Sequence, residues 1–236
     1  MRILLSQRTN YLPARGGANR TNKLLVEELA RRGHDCLVVA PALPEEYAAD
    51  PATGVVPTRV EGVAAHLVTD RRRLIRQFAQ DIDAFDPAVV IVSSEDFGQA
   101  LLRTAIKVDR APVVYFVQTV QALPFGPAAF FPSASATDLV RRAHAVVSVS
   151  RYLSSYLERW GGRTATLLHP PIFGGGPFAL PEPLPGGYVT MVNPCELKGI
   201  RIFLALADLM PDTRFAAVPG GGPVTATCAG SRPVPT

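Results

Sequence analysis

Cysteine is scarce in this chain: Cys36, Cys195 and Cys228 are the three among 236 residues, far apart and odd in number. Such spacing offers neither a disulfide framework nor a zinc-type ligand set, and it favours a reducing, intracellular setting. Charge is thin as well, 19% of residues with a net +4. The tight basic clusters, Arg71-Arg72-Arg73 and Arg141-Arg142, lack aromatic interleaving. They read as solvated helix faces, which argues against a nucleic-acid partner. No apolar run approaches the roughly 18 residues that span a bilayer, and the apolar start at residues 1–5 is too short for a signal peptide. A cytoplasmic protein is expected. The spaced-glycine dinucleotide fingerprint is missing too, so nicotinamide and flavin chemistry lose support. What the chain has in quantity is hydrophobic residues, 47%, enough for a well-buried core.

Those residues alternate between two periods. Short apolar runs of strand type occur at 2–6, 36–40, 60–67, 87–93, 112–118, 145–150 and 164–168. Helical spacing occupies the intervals between most of them, at Leu24, Leu25, Glu28, Leu29 and Arg32, then over 70–85, 99–108, 137–143 and 151–160. Thr21 or Asn22 can cap the first helix and Gly33 can end it. Unbroken apolar strands separated by helices predict a doubly wound, parallel-sheet α/β domain of Rossmann-like type over 1–173. Residues 174–187, rich in Gly and Pro, read as a linker. The alternation restarts with a strand at 188–192, a helix at 200–210 and a strand at 214–218, so 188–219 is expected to be the first βαβ of an incomplete second domain. One such unit cannot bury a core of its own. It must lean on the first domain, pair with another chain or stay loosely ordered. Residues 220–236 show no apolar period and read as an irregular tail.

Chemistry-bearing residues fall in the loops after the strands. Gly16 and Gly17, within the stretch 15–20 (RGGANR), join the first strand to the first helix. Glycine there lets a ligand come close to the backbone, and the helix start offers free N–H groups to a phosphate, with Arg20 beside them. The competing reading is a tight turn and nothing more. Open α/β sheets place ligands at the carboxyl ends of their strands. That puts Glu95 and Asp96, after the strand 87–93, in view as general bases, with helix capping as the other role for Asp96. Gln118 ends the strand 112–118 and can hydrogen-bond a sugar hydroxyl, or instead satisfy loop backbone groups. Ser150 is expected to cap the helix from 151, and His34 and His169 look structural. In the second segment, Asn193, Lys198 and Gly199 stand just before a helix, where an ammonium and free N–H groups suit a diphosphate. With no His/Cys cluster, nothing calls for a metal. Phe116, Phe125, Phe130 and Phe131 suggest a partly apolar acceptor pocket, the ordinary alternative being packing.

Taken together, these segments resemble the family 4 glycosyltransferases built from two Rossmann-like domains, the GT-B architecture. RILLS, GGANR and LLVEELARRGHDCLVVAP are similar to that family's opening, with its double-glycine loop and "GH" turn. AHAVVSVSRYLSSYLERWGG and LLHPPI resemble the end of its amino-terminal domain. MVNPCELKGIRIFLALADLMPDTRFAAV is similar to the first βαβ of its carboxyl-terminal domain, with a Lys-Gly pair. The likeness runs over 1–219. It implies that Gly16 and Gly17 lie near donor phosphates or acceptor and that Lys198 binds the donor diphosphate. Three departures stand out. No arginine precedes Lys198, where the sequence is Asn193-Pro194-Cys195. Gln118 holds a position where the family commonly has histidine. The family's paired-glutamate segment lies beyond the last residue of this chain.

The expected function is sugar transfer from a nucleotide-sugar donor to the hydroxyl of a small-molecule or glycan acceptor, in a cleft between two domains, with no cofactor or metal. Activity of this chain by itself is expected to be weak or absent, and self-association through a face left open is a further expectation. Two other classes compete: a non-catalytic acceptor-binding or partner protein derived from such an enzyme, and a sugar epimerase of similar architecture.

Overall fold

A computed structural model describes residues 1–43, 45–50, 52–171, 177 and 187–219. The chain divides into two units, Met1–Gly174 and Gly175–Thr236, each taken here by itself.

The first unit runs β1 (Arg2–Ser6), α1 (Gly17–Arg31), β2 (Asp35–Pro41), β3 (Val55–Val60), β4 (Val63–Val68), α2 (Leu74–Phe85), β5 (Val89–Ser93), α3 (Ala100–Val108), β6 (Val113–Val117), α4 (Ala134–Arg142), β7 (Ala145–Ser148), α5 (Arg151–Tyr156) and β8 (Thr166–Leu167). These strands form one sheet in the order β3-β4-β2-β1-β5-β6-β7-β8. Every pairing is parallel except β3 with β4. This is the Rossmann-like α/β architecture expected from the sequence.

Side chains one apart on a strand point to opposite faces, and both faces here are apolar. Ile3 and Leu5 join Cys36, Val38, Ala40, Ile91 and Phe116 in a core closed by Val26 of α1. Leu4 joins Leu37, Val39, Val92, Tyr115 and Val117 in a second core, against Leu74, Phe78 and Ile82 of α2 and Leu101 and Leu102 of α3. β1 pairs with β2 on one side and β5 on the other, Ile3 standing opposite both Cys36 and Val89. The strand order therefore reverses between β1 and β5, and the loops at their carboxyl ends open a crevice there.

Three local expectations change. The run 60–67 is not a single strand: β3 and β4 form a hairpin, in which Val60 pairs with Val63. Glu61 and Gly62 both have positive φ, 50° and 80°, as a two-residue hairpin turn of matching twist needs. Pro57 is tolerated because β3 lies at the sheet edge. Second, α1 starts at Gly17, so Thr21 and Asn22 lie within it and cap nothing. Gly16, at φ 85°, takes the cap position, and Thr21 Oγ1 donates back to the Gly17 carbonyl at 2.8 Å. Third, α5 does not run on to Trp160 as an α-helix; Leu157–Gly161 forms a π-helical turn. Ser150 does cap α5, its Oγ accepting from Leu153 N at 3.2 Å. His169 contacts the Val149 carbonyl and His34 the amino terminus, away from any nucleophile.

The second unit contains β9 (Val189–Val192), α6 (Ile200–Leu209) and β10 (Phe215–Val218), the two strands paired in parallel. Phe203 and Phe215 meet edge to face with centroids 5.3 Å apart. No residue of α6 is fully buried. The expected linker, 174–187, lies outside the described residues except at Pro177 and Gly187, and the tail 220–236 lies wholly outside them. Among the described residues no helix is long and apolar enough to cross a membrane.

The turn before α4 supplies a test of the packing. Gly126 has φ 78°, and a Cβ there would stand 2.6 Å from Tyr156 Cζ. Tyr156 cannot move aside, because its hydroxyl accepts from Ala128 N and donates to the Phe125 carbonyl, both at 3.0 Å. Gly126→Ala is therefore expected to lower unfolding stability by about 2–4 kcal/mol in urea titration, from overpacking together with left-handed backbone strain.

Candidate functional site

The crevice between β1 and β5 holds a group of polar side chains in a region otherwise built of aliphatic strands. Gln7 follows β1, Ser93 ends β5, and Asn22 projects from α1; all three are fully buried. Ser94 is buried beside Ser93, and Glu95 and Gln118 are partly exposed at the edge. Buried polar groups require partners, and these have them. Asn22 Nδ2 donates to Gln7 Oε1 at 2.8 Å and to Ser93 Oγ at 3.0 Å. Gln118 Nε2 donates to Asn22 Oδ1 at 2.7 Å and to Ser93 Oγ at 3.3 Å. Ser93 Oγ donates to Glu95 Oε2 at 2.6 Å, and Ser94 Oγ donates to Glu95 Oε1 at 3.2 Å. Ser94 Oγ also accepts the backbone N–H of Gln118 at 3.0 Å.

The chain of bonds reaches the glycine loop. Gln7 Nε2 donates to the Thr9 carbonyl at 2.9 Å and to Asn19 Oδ1 at 3.3 Å, while Asn19 Nδ2 donates to the Arg15 carbonyl at 2.8 Å. The loop carrying Gly16 and Gly17 is thus tied through Asn19, Gln7 and Asn22 to both Gln118 and Glu95. Burial pushes the Glu95 carboxyl above its usual range, while the Ser93 and Ser94 hydroxyls pull the other way, and the net direction is up.

Gly16 and Gly17 differ in what demands them. Gly16 needs its positive φ. Gly17 is helical, and a Cβ on it would meet nothing within 4 Å, so neither backbone nor packing calls for glycine there. The first intrahelical bond of α1 is Arg20 N to Gly16 O at 3.1 Å, which leaves the N–H groups of Gly17, Ala18 and Asn19 ahead of it. Arg20 is exposed and its guanidinium has no hydrogen bond or ion pair among the described residues.

Asn193, Lys198 and Gly199 lie in the second unit. Asn193, at φ 60°, ends β9 and donates its N–H to the Val218 carbonyl at 2.8 Å. Lys198 closes a short 3-10 turn with its side chain exposed, and Gly199, at φ 84°, starts α6.

Other candidates resolve into structural roles. Asp96 caps α3, its Oδ2 accepting from Leu101 N at 2.7 Å, and it also pairs with Arg8 at 3.5 Å. Phe116 and Phe125 are core residues, so neither lines an open pocket. Phe130 and Phe131 are exposed and cluster with Phe97, ring centroids 6.0 and 5.9 Å away. Asp81-Ile82-Asp83 has the Asp-x-Asp spacing, but Asp81 bonds His66 Nδ1 at 2.9 Å and Asp83 pairs with Arg110 at 3.3 Å, both away from the crevice. Burial pushes the Cys36 thiol up to about 11, unsuited to a nucleophile. A groove of about 530 Å³ runs along α1 and the β3–β4 turn, yet its charges are already matched, Lys23 with Glu27 and Glu28 with Arg31. Among the described residues, no group of three or more His, Cys, Asp or Glu side chains is arranged to hold a metal ion.

The sequence profile of Glycosyltransferase Family 4 matches residues 15–172. The chain belongs to that family. The matched stretch contains the glycine loop, both core layers and the whole α1–β5–β6 network except Gln7. Among solved structures, the chain is similar to the Bordetella bronchiseptica enzyme WbmG in complex with NAD, at 16% identity and a TM-score of 0.35. It is similar also to that enzyme in complex with NAD and UDP, at 17% identity and a TM-score of 0.34. Each likeness covers 63% of this chain and 52% of the other, so the chain spans about half the length of that enzyme. No curated protein matches the chain.

Gln7, Asn19 and Ser93 escaped the sequence reading as site residues, and Asn22 entered it only as a helix cap. A signal for two of them exists: Asn19 and Asn22 continue, at helical spacing, the buried face of α1 that Val26 carries. Ser93→Ala provides a test of the network. It removes one of the two hydroxyl donors that favour the Glu95 carboxylate and deprives two amide nitrogens of an acceptor. The Glu95 carboxyl is expected to titrate at higher pH than in the parent, read by carbon NMR, with a stability loss of about 1–3 kcal/mol.

Proposed function

We propose that this member of family 4 serves transfer of a sugar from a nucleotide-sugar donor to an acceptor hydroxyl, with Glu95 and Gln118 at the reacting end and two phosphate-binding positions. The observation that carries the reading is the buried network that ties Gly16-Gly17, Gln118 and Glu95 into one hydrogen-bonded body. Membership of the family supplies the reaction class.

In the proposed step the acceptor oxygen bonds to the anomeric carbon of the donor sugar. The bond from that carbon to the diphosphate oxygen breaks, and its electron pair leaves on the nucleoside diphosphate. Glu95 takes the acceptor proton. Its carboxylate receives two serine hydroxyls and keeps lone pairs to spare, and burial makes it a stronger base than a solvated glutamate. Gln118 orients a hydroxyl. Developing negative charge suits the free N–H groups at the α1 start, with Arg20 nearby; in the second unit, taken by itself, Lys198 and the start of α6 at Gly199 offer another position for phosphate. Asn193 shapes the turn before them. Glycine at 17, which the folded chain itself does not require, fits a ligand that comes up against the backbone. The nucleotide sugar is a substrate, and the reading assigns no cofactor or metal.

Glu95→Gln is expected to cut turnover by about 10²-fold or more with little change in acceptor KM. Turnover of the parent is expected to rise with pH through the raised Glu95 value, since the base must be ionised. Equal rates for parent and variant in a radiolabelled sugar-transfer assay would sink the assignment. Acceptor binding without turnover in the parent would favour a non-catalytic acceptor-binding protein instead.

Gly17→Ala separates a turn glycine from a ligand-facing one. Alanine in a helix is expected to raise stability by about 0.5–1 kcal/mol. Calorimetric titration with nucleoside diphosphates is expected to show a loss of affinity of about tenfold or more, the scale of one lost charge-assisted hydrogen bond. Unchanged affinity would remove Gly17 from the ligand-binding loop.

A further inference from the structure

The direction of every hydrogen bond in the crevice follows from one fact: an ionised carboxylate only accepts. Ser93 has one hydroxyl hydrogen, and Glu95 Oε2 lies 2.6 Å from its Oγ, so that hydrogen goes to Glu95. Ser93 Oγ must then accept from its other two neighbours, which are Asn22 Nδ2 at 3.0 Å and Gln118 Nε2 at 3.3 Å. With Nδ2 of Asn22 turned toward Ser93 and Gln7, Oδ1 of Asn22 faces Gln118 Nε2 at 2.7 Å. Both hydrogens of the Gln118 amide are thereby used inside the protein. Gln118 Oε1 has no hydrogen-bond partner among the described residues, and it is not among the buried unpartnered atoms. The polar atoms left at the edge are therefore two kinds of acceptor, a carbonyl oxygen and a carboxylate.

We infer that Asn22 is a positioning residue that locks Gln118 with its carbonyl outward, and that this end of the crevice is a subsite for hydroxyl groups of a neutral polyol. A phosphate would bring acceptor oxygens against acceptor oxygens and is excluded there; phosphate belongs at the glycine loop or at Lys198. The inference rests on the proposed sugar-transfer reading for its substrate class, while the locked amide rests on the bond geometry with Glu95 ionised. Asn22 does not touch the ligand: it is fully buried and acts through Gln118 and Ser93.

The test uses NMR on the full chain with nitrogen-labelled side-chain amides, the Gln118 pair being assigned by its loss in Gln118→Met. In the parent, the Gln118 amide hydrogens are expected to exchange with solvent at least about tenfold more slowly than those of exposed Gln80. Asn22→Ala is expected to abolish that protection at Gln118 while leaving the Asn19 side-chain amide, which donates to the Arg15 carbonyl, protected. A merely structural role would treat the two amides alike. Titration of the parent with glycerol or D-glucose is expected to shift the Gln118 side-chain amide signals, and titration with inorganic phosphate is expected to leave them unmoved. Exchange as fast as that of Gln80 overturns the locked amide without any need for a folded variant. Shifts with phosphate, or with neither polyol, overturn the subsite. Loss of sugar transfer in an assay where the polyol shifts persist would remove the transferase reading and leave this inference standing.

Discussion

The hydroxyl of Ser93 sets the polarity of the candidate site. It sits at the carboxyl end of β5, beside the point where the sheet reverses its strand order, and it is saturated: one hydrogen given to Glu95, two received from the amides of Asn22 and Gln118. Fully satisfied buried networks of this kind specify one arrangement, because each reversal would strand a polar group away from water. The aliphatic strands around it make that penalty large. Placement of this serine depends in turn on the register of β1 against β5, where Ser6 pairs with Val92.

The sheet and the site are therefore two consequences of the same alternation. Along β5, Val90 and Val92 enter one core and Ile91 the other, and the strand ends as the side chains turn polar at Ser93 and Ser94. Along α1, Val26 anchors the buried face, and one and two turns earlier the same face carries Asn22 and Asn19. The helix thus packs by apolar contact at its middle and by hydrogen bonds at its amino-terminal end. That end holds the glycine loop at a fixed place relative to Gln118 and Glu95.

Much of the fold was legible because unbroken runs such as VVIVS and VVYFV leave little choice beyond buried parallel strands. The β3–β4 hairpin was not, since Glu61-Gly62 lacks the Asn-Gly or Asp-Gly signature and the expected strand 60–67 ran through the turn into β4, leaving β3, with Pro57 and Arg59 in it, unread. The start of α1 was misplaced for a related reason. Asn and Thr commonly cap helices, and only a buried partner across the crevice explains an asparagine in a helix interior. Glu95 and Gln118 could be named from position, at the ends of strands. Their common partner Ser93 could not, because a serine in a strand carries no mark of what it will bond. The bond between Asn22 and Gln118, far apart in sequence, is likewise invisible without the sheet order that sets the start of α1 beside the ends of β5 and β6.

Under the proposed function, sugar chemistry belongs to the β1–β5 crevice. Mapping backbone amide shifts of the full chain during titration with nucleoside-diphosphate sugars tests it most directly. The largest shifts are expected at Gly16, Gly17, Ser94, Glu95 and Gln118, with a second group at Lys198 and Gly199. Shifts confined to other parts of the chain, such as the groove along α1 and the β3–β4 turn, would contradict it.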